Sequence, residues 1–395
     1  MLRSLFSGIS GLRAHQTMMD TVGNNIANVN SVGYKATNTV FEDTLSQLVR
    51  AGGAPTTANG GINPVQVGLG VRLAGVETNF TQGATQLTGR STDVMIQGDG
   101  FFVVNQGTTQ EFTRAGAFSL DATGRLTTPD GALVQGWPAV NGVINNQAAP
   151  TDVTLPLGAT IAPTPTSTVG LGGNLPATAA IGSAFTATIT TYDAQGTAVP
   201  LTFTLTKTAA DTWSMGAPGS TPATSTVSFD PATGLPTTAS PVALTVGGQA
   251  LGIDLTKITQ FGSSNTLTAV SQNGAAAGTL ESFTLGADGI VTGVYSNGTR
   301  QSIGQVAIAT FNNPGGLEKA GNSAYVASSN SGLAQIGAPG TGGRGQLIGG
   351  ALEMSNVDLA SEFTNLIIAQ RGFQANSKII TASDEILQDL VNLKR

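Results

Sequence analysis

The chain has 395 residues, 40% of them hydrophobic and only 10% charged, with a formal net charge of −6, no cysteine and one histidine. The length favours two or three domains over one, and the acidic balance argues against a nucleic-acid partner, whose phosphates require a basic face. Without cysteine there is no disulfide, thiolate nucleophile or Cys-ligated metal, and His15 alone cannot supply an imidazole pair.

Residues 2–27 predict an amphipathic helix. Leu5, Leu12, Met19 and Ile26 recur every seven residues, and Leu2 and Ile9 fill the neighbouring position of the repeat before Gln16 and Gly23 interrupt it. Gly8, Gly11 and Gly23 each weaken the helix by about 1 kcal/mol relative to alanine, so it needs a partner to persist in water. Only short apolar runs occur here, broken by Arg13, His15 and Gln16. Neither a cleaved secretory leader nor membrane insertion is therefore expected.

The middle of the chain reads as β. Short apolar stretches such as 101–104, Phe112, Leu126 and 133–134 are cut by turn-forming runs at 98–100, 121–124 and 129–131. Residues 145–180 are rich in Pro, Ala and Thr and read as a crossing into another domain. Over 181–285 the chain is Thr-rich and alternates: Phe185, Ala187 and Ile189, then Leu201, Phe203 and Leu205 with Thr202, Thr204 and Thr206 between them. Such alternation gives each strand one wet and one buried face, as in an antiparallel sheet or barrel. The 71–145 style returns at 281–312.

Residues 356–392 predict a second amphipathic helix, with Leu359, Leu366, Phe373, Ile380 and Leu387 seven apart and Ser355 or Asn356 as the N-cap. Heptad helices at both ends have two uses open to them. They pair with each other and with copies from other chains, or they pack on a globular core of their own chain. The narrowness of a strict seven-residue stripe favours the coiled-coil use.

No catalytic constellation emerges. The glycine runs at 68–70 and 340–345 lack the GxxxxGK[ST] order of a phosphate loop. His15 falls inside a helix that wants to pack, and the acidic pairs Glu42-Asp43 and Asp384-Glu385 are adjacent, so they point different ways. Acids at the every-second-residue spacing of a calcium loop do not occur. No enzyme activity, cofactor or metal is expected.

Several runs nevertheless resemble one family. Residues 23–35, GNNIANVNSVGYK, resemble the N-terminal signature of the flagellar rod and hook axial proteins, in particular Asn24, Asn25, Ala27, Asn28, Gly33, Tyr34 and Lys35. Residues 349–359, GGALEMSNVDL, resemble the C-terminal signature through Ser355 and Asn356, and 370–378, QRGFQANSK, through Gln370 and Arg371. Residues 98–102 and 113–116 are similar to the family's first β domain. Within the family, 62–70 (INPVQVGLG) and the long insert resemble the hook members more than the shorter rod members.

The resemblance implies a mainly β protein with α-helical termini. Residues 1–70 would supply an N-terminal helix and linker, and 351–395 a C-terminal helix, together forming an inner coiled-coil-like layer. Residues 71–145 plus 285–350 would form a discontinuous middle β domain, and 146–284 an inserted outer β domain. It implies a structural subunit that polymerises with itself into a curved hollow tube, a universal joint between rod and filament. The implied partners are the distal rod protein, the hook cap, the hook–filament junction proteins and the flagellar type III export apparatus, with an extracellular location in the flagellum. A distal rod subunit is the alternative within the family, and a secreted β-rich adhesin the alternative outside it. The subunit interface is expected along Leu5, Leu12, Met19, Ile26, Leu359, Leu366, Phe373, Ile380 and Leu387.

Overall fold

A computed structural model describes residues 2–55 and 60–392, and the chain divides into two units. The first runs up to Leu155, resumes for Thr284–Thr292 and continues from Ser302; the second comprises Pro156–Phe283 and Gly293–Gln301.

In the first unit, the apolar run Phe101–Gln106 is the centre of a sheet. It pairs antiparallel with Thr109–Thr113 across a turn at Gly107, and with Leu133–Val140 and Ile308–Thr310. Leu133–Val140 also pairs with residues 304–306. Segments from before and after the second unit therefore share one sheet, which makes the first unit discontinuous. Its core gathers Phe101, Val103, Phe112, Trp137, Phe311 and Tyr325, with the Phe112 and Phe311 rings edge to face at 4.8 Å. The sheet holds on to the chain as far as 155: Thr151–Asp152 pairs with 135–136, and the Leu155 N–H donates to the Gly124 carbonyl at 2.6 Å. This ladder keeps 146–155, expected with the insert, in the first unit.

The second unit is a sandwich of two sheets. A four-stranded antiparallel sheet runs Ala184–Tyr192, Ala198–Ala209, Thr212–Gly216, Ser225–Ser228. A five-stranded one runs Ser220–Thr221, Val242–Val246, Gln249–Phe261, Thr168–Pro176, Thr268–Gln272. Alternation does what it predicts: Leu201, Phe203 and Leu205 are buried while Thr202, Thr204 and Thr206 are half-buried. The buried face joins Trp213, Met215, Leu255 and Ile258 in one core. Two features differ from the expectation of an antiparallel sheet or barrel. The sheets do not close into a barrel, and Thr168–Pro176 runs parallel to Gln249–Phe261. The parallel pair is possible because a whole four-stranded sheet intervenes in sequence, far longer than the crossover such a pair requires.

The first unit also carries the chain ends. Helix α1 spans Leu2–Ala27 and helix α2 spans Leu359–Asn392. The cap of α2 is neither Ser355 nor Asn356: the Asp358 carboxylate accepts the Ala360 N–H at 2.9 Å. Asn356 is not available because its amide is engaged elsewhere, as described below. The stretch after α1, expected as a linker, holds two antiparallel pairs, Thr37–Asp43 with Val71–Thr78 and Ser46–Arg50 with Val65–Gly68.

Candidate functional site

The two helices pack against each other in antiparallel register. Gly8 lies against Asn376, Ile379 and Ile380, Gly11 against Asn376, Gly372 against the His15 ring, and Asn25 hydrogen-bonds Glu362. One step forward on α1 is matched by one step back on α2. The α1 positions in these contacts are Gly8, Gly11, His15 and Asn25, and the buried Val22 falls on the same 3–4 spacing, as a helix seam requires. Those on α2 are Glu362, Gly372, Asn376, Ile379 and Ile380, with Ala369 and Ser383 buried along the same helix. Small and polar residues thus make the closest approaches of the seam, with Val22, Ile379 and Ile380 as its apolar members. A Cβ on Gly11 would come within 2.8–2.9 Å of the Asn376 side chain, so glycine sets the closeness of approach.

The expected leucine stripe lies at the edge of this seam. Leu5, Leu12, Met19, Ile26, Leu366, Phe373, Ile380 and Leu387 are half-buried, and Leu359 is exposed. The stripe and the seam are neighbouring faces, and Ile380 reaches from one to the other by lying against Gly8.

Where α1 ends, Asn25 ties the helices to the β body. Its Nδ2 donates to the Thr37 carbonyl at 2.8 Å and to Glu362 Oε1 at 2.9 Å. Its Oδ1 accepts from the Thr37 N–H at 3.0 Å and the Tyr34 hydroxyl at 3.1 Å. Burial raises the Glu362 pKa above the ordinary carboxylate value; the Asn25 hydrogen bond opposes this and Asp358 adds to it. Burial likewise raises Tyr34.

Beyond Asn25, Lys35 enters a fully buried ionic cluster. Its Nζ lies 2.7 Å from Glu353 Oε1 and donates to the Thr81 carbonyl at 2.8 Å. The other Glu353 oxygen faces Arg114 Nη1 at 3.5 Å, and Arg114 stacks over the Phe101 ring at 5.3 Å. Burial pushes Lys35 and Arg114 down, and Glu353 opposes the fall in both. Glu353 sits on Ala351–Glu353, which pairs with Thr85–Leu87, and its carbonyl accepts the Gly33 N–H at 2.8 Å. Gly33 must be glycine: its φ is +67° and a Cβ would fall 2.5 Å from the Ala115 nitrogen. Asn356 completes the joint. Its Oδ1 accepts the Ala36 N–H at 2.7 Å, and its Nδ2 donates to the Asn79 carbonyl at 2.8 Å.

The structure therefore brings Asn25, Gly33, Tyr34, Lys35 and Asn356 together at one junction of both chain ends with the sheet. Asn24 joins its rim by donating to the Tyr34 hydroxyl at 3.1 Å. Asn28 and Ser355 are half-buried nearby in sequence, while Ala27, Gln370 and Arg371 are exposed and take no part. Sequence reasoning missed Glu353, Arg114 and Glu362 as the partners of these residues. Their signal was only that charges stand inside otherwise apolar or motif-like runs. Among the described residues, no group of three or more His, Asp or Glu side chains could hold a metal.

Comparison with known proteins places this architecture. Four family profiles match: a flagella basal body rod protein over 5–35, a flagellar hook protein FlgE/F/G D1 domain over 95–170, a flagellar basal body protein FlaE D2 domain over 159–275, and a flagellar basal body rod FlgEFG C-terminal region over 348–393. The flagellar hook protein FlgE of Treponema pallidum is 41% identical and that of Borreliella burgdorferi 38%, each with 100% of both chains covered. The flagellar basal-body rod protein FlgG of Bacillus subtilis is 35% identical, also over 100% of both chains. The crystal structure of the Helicobacter pylori flagellar hook protein FlgE2 shares the fold at a TM-score of 0.51 and 15% identity, covering 66% of this chain and 98% of that one. The chain belongs to the FlgE/F/G family of flagellar hook and rod proteins, and it is a structural subunit of the bacterial flagellar hook.

Proposed function

We propose that the chain acts by assembly and not by catalysis, polymerising into a curved hollow tube that transmits torque from rod to filament as a universal joint. The observation that supports this most is the distribution of apolar residues on α2. The closest approaches of its intramolecular seam are made by small and polar residues, yet Phe363, Ile367, Ile368 and Ile386 are 50–56% exposed, and Ile379 beside Gly8 is still 43% exposed. A helix apolar on faces its own chain does not cover is one that other copies cover. Copies stacked through these faces would form the tube wall. Under the same reading the distal rod, hook cap, hook–filament junction proteins and type III export apparatus are the neighbours during growth and in the finished hook.

The rod protein that matches over the full length keeps a distal rod role as the second reading. Polymer grown from purified chain and viewed by electron microscopy tests both. A hook subunit gives curved tubes and a rod subunit straight ones. Phe363→Asp places a carboxylate in a face that assembly desolvates, so it should abolish tubes while leaving the β units folded. Normal tubes from that variant would refute the assignment of the exposed faces.

A further inference from the structure

A second surface of the helix pair offers an apolar groove with arginines at its rim. On the side of α1 away from α2, a groove runs between the helix and the strand Val71–Thr78. Its lining includes Phe6, Ile9, Arg13, Val71, Arg72 and Leu73. Phe6 is 64% exposed. The floor is apolar and the rim carries two guanidinium groups. Arg72 already pairs with Glu42, whereas Arg13 enters none of the salt bridges among the described residues.

The flank of α2 that borders its seam with α1 carries the converse. Ile379, Ala382 and Ile386 follow at three and four residues and so line one stripe; Ile379 borders Gly8 of its own chain and is still 43% exposed, and Ile386 is 52% exposed. Glu385 and Asp389, four apart, run beside that stripe and are exposed. Neither acid has an ion-pair partner among the described residues.

We propose that the groove between α1 and Val71–Thr78 receives the Ile379–Ile386 flank of α2 from a second copy of this chain, with Glu385 and Asp389 of that copy set against Arg13 and Arg72. The groove and the flank are different faces of one helix pair, so the contact is heterologous. A heterologous contact repeats from copy to copy without closing on itself unless its rotation happens to make a ring, and this is the geometry of a helical polymer. The apolar floor supplies the burial, and the charges at the rim fix the register and reject a copy docked the wrong way round.

This rests on the assembly function proposed above, and the experiment separates the two. The critical concentration for polymerisation is measured by sedimentation and electron microscopy for the full chain, for Arg13→Glu, for Glu385→Arg/Asp389→Arg, and for the variant carrying all three changes. Each charge reversal alone places like charges across the contact and should raise the critical concentration by at least about tenfold. The combined variant should recover most of the loss. Ile386→Ser, which removes the apolar element without touching charge, should weaken assembly as well. Reversals that leave a polymerising chain unaffected, or a combined variant no better than the worse of its parents, overturn the groove assignment while leaving the assembly function intact. A wild-type chain that never polymerises overturns the assembly function itself.

Discussion

The second unit and the helix pair hold themselves together in opposite ways. The sandwich buries Phe203, Leu205, Trp213 and Met215 completely, and its threonine faces meet water, as in the hydroxyl pair of Thr188 and Thr202 at 2.9 Å. The helix pair seats Gly8, Gly11, Gly372, Asn376 and Ser383 in its own seam and leaves Phe6, Phe363, Ile367, Ile368 and Ile386 half or more exposed. Hydrophobic burial scales with apolar area, so the sandwich is self-sufficient and the helix pair is not. A part built to be completed by its neighbours places its apolar surface where the neighbours will be.

The largest effect that sharpens this contrast comes from the ionic cluster that anchors the helix pair to its sheet. Glu353→Ala leaves Lys35 and Arg114 buried without their counter-ion and should cost the first unit about 3–5 kcal/mol. Denaturant unfolding followed by amide exchange checks it: the loss should fall on strands around Phe101 and Phe112 and spare those around Phe203. An equal loss in both units would mean that they are not independent.

A smaller effect is expected inside the seam. Gly11→Leu drives a branched side chain into Asn376 and should weaken the helix pair by about 1–3 kcal/mol. Limited proteolysis should show both ends cut faster while the sandwich resists. Unchanged proteolysis would mean that the helices do not depend on close approach.

The smallest effect concerns pH. Because burial raises the Glu362 pKa, its contribution to stability is fully present below the ordinary carboxylate pKa and is lost as pH rises through the raised value. The helix pair should therefore be firmer in mild acid than at neutral pH. Glu362→Gln should remove that part of the pH dependence, which helicity measured across the window by circular dichroism would read. A variant with the wild-type slope would assign the slope to another group.

Much of the fold was legible because period is a strong signal. Both terminal helices and the alternating strands at 184–209 follow from spacing alone. The parallel pairing of 168–176 with 249–261 was not legible, since alternation on a strand says nothing about the direction of its neighbour. The site was legible by half. Asn25, Gly33, Tyr34, Lys35 and Asn356 stood out by resemblance, but the Glu353 and Arg114 that neutralise and surround Lys35 come from distant parts of the chain, and no local pattern joins them. Within the chain, the heptad positions other than Leu359 stand half-buried beside the contact that glycine permits, and spacing alone did not single out those glycines.

Amide hydrogen exchange along α2, compared between dilute monomer and assembled polymer, tests the central claim most directly. The account predicts fast exchange through Leu359–Asn392 in the monomer, strong protection in the polymer, and protection of the sandwich strands that is high and equal in both states. Protection of α2 in the monomer as deep as that of the sandwich, unchanged on assembly, would show that its own chain already completes it and would contradict the account.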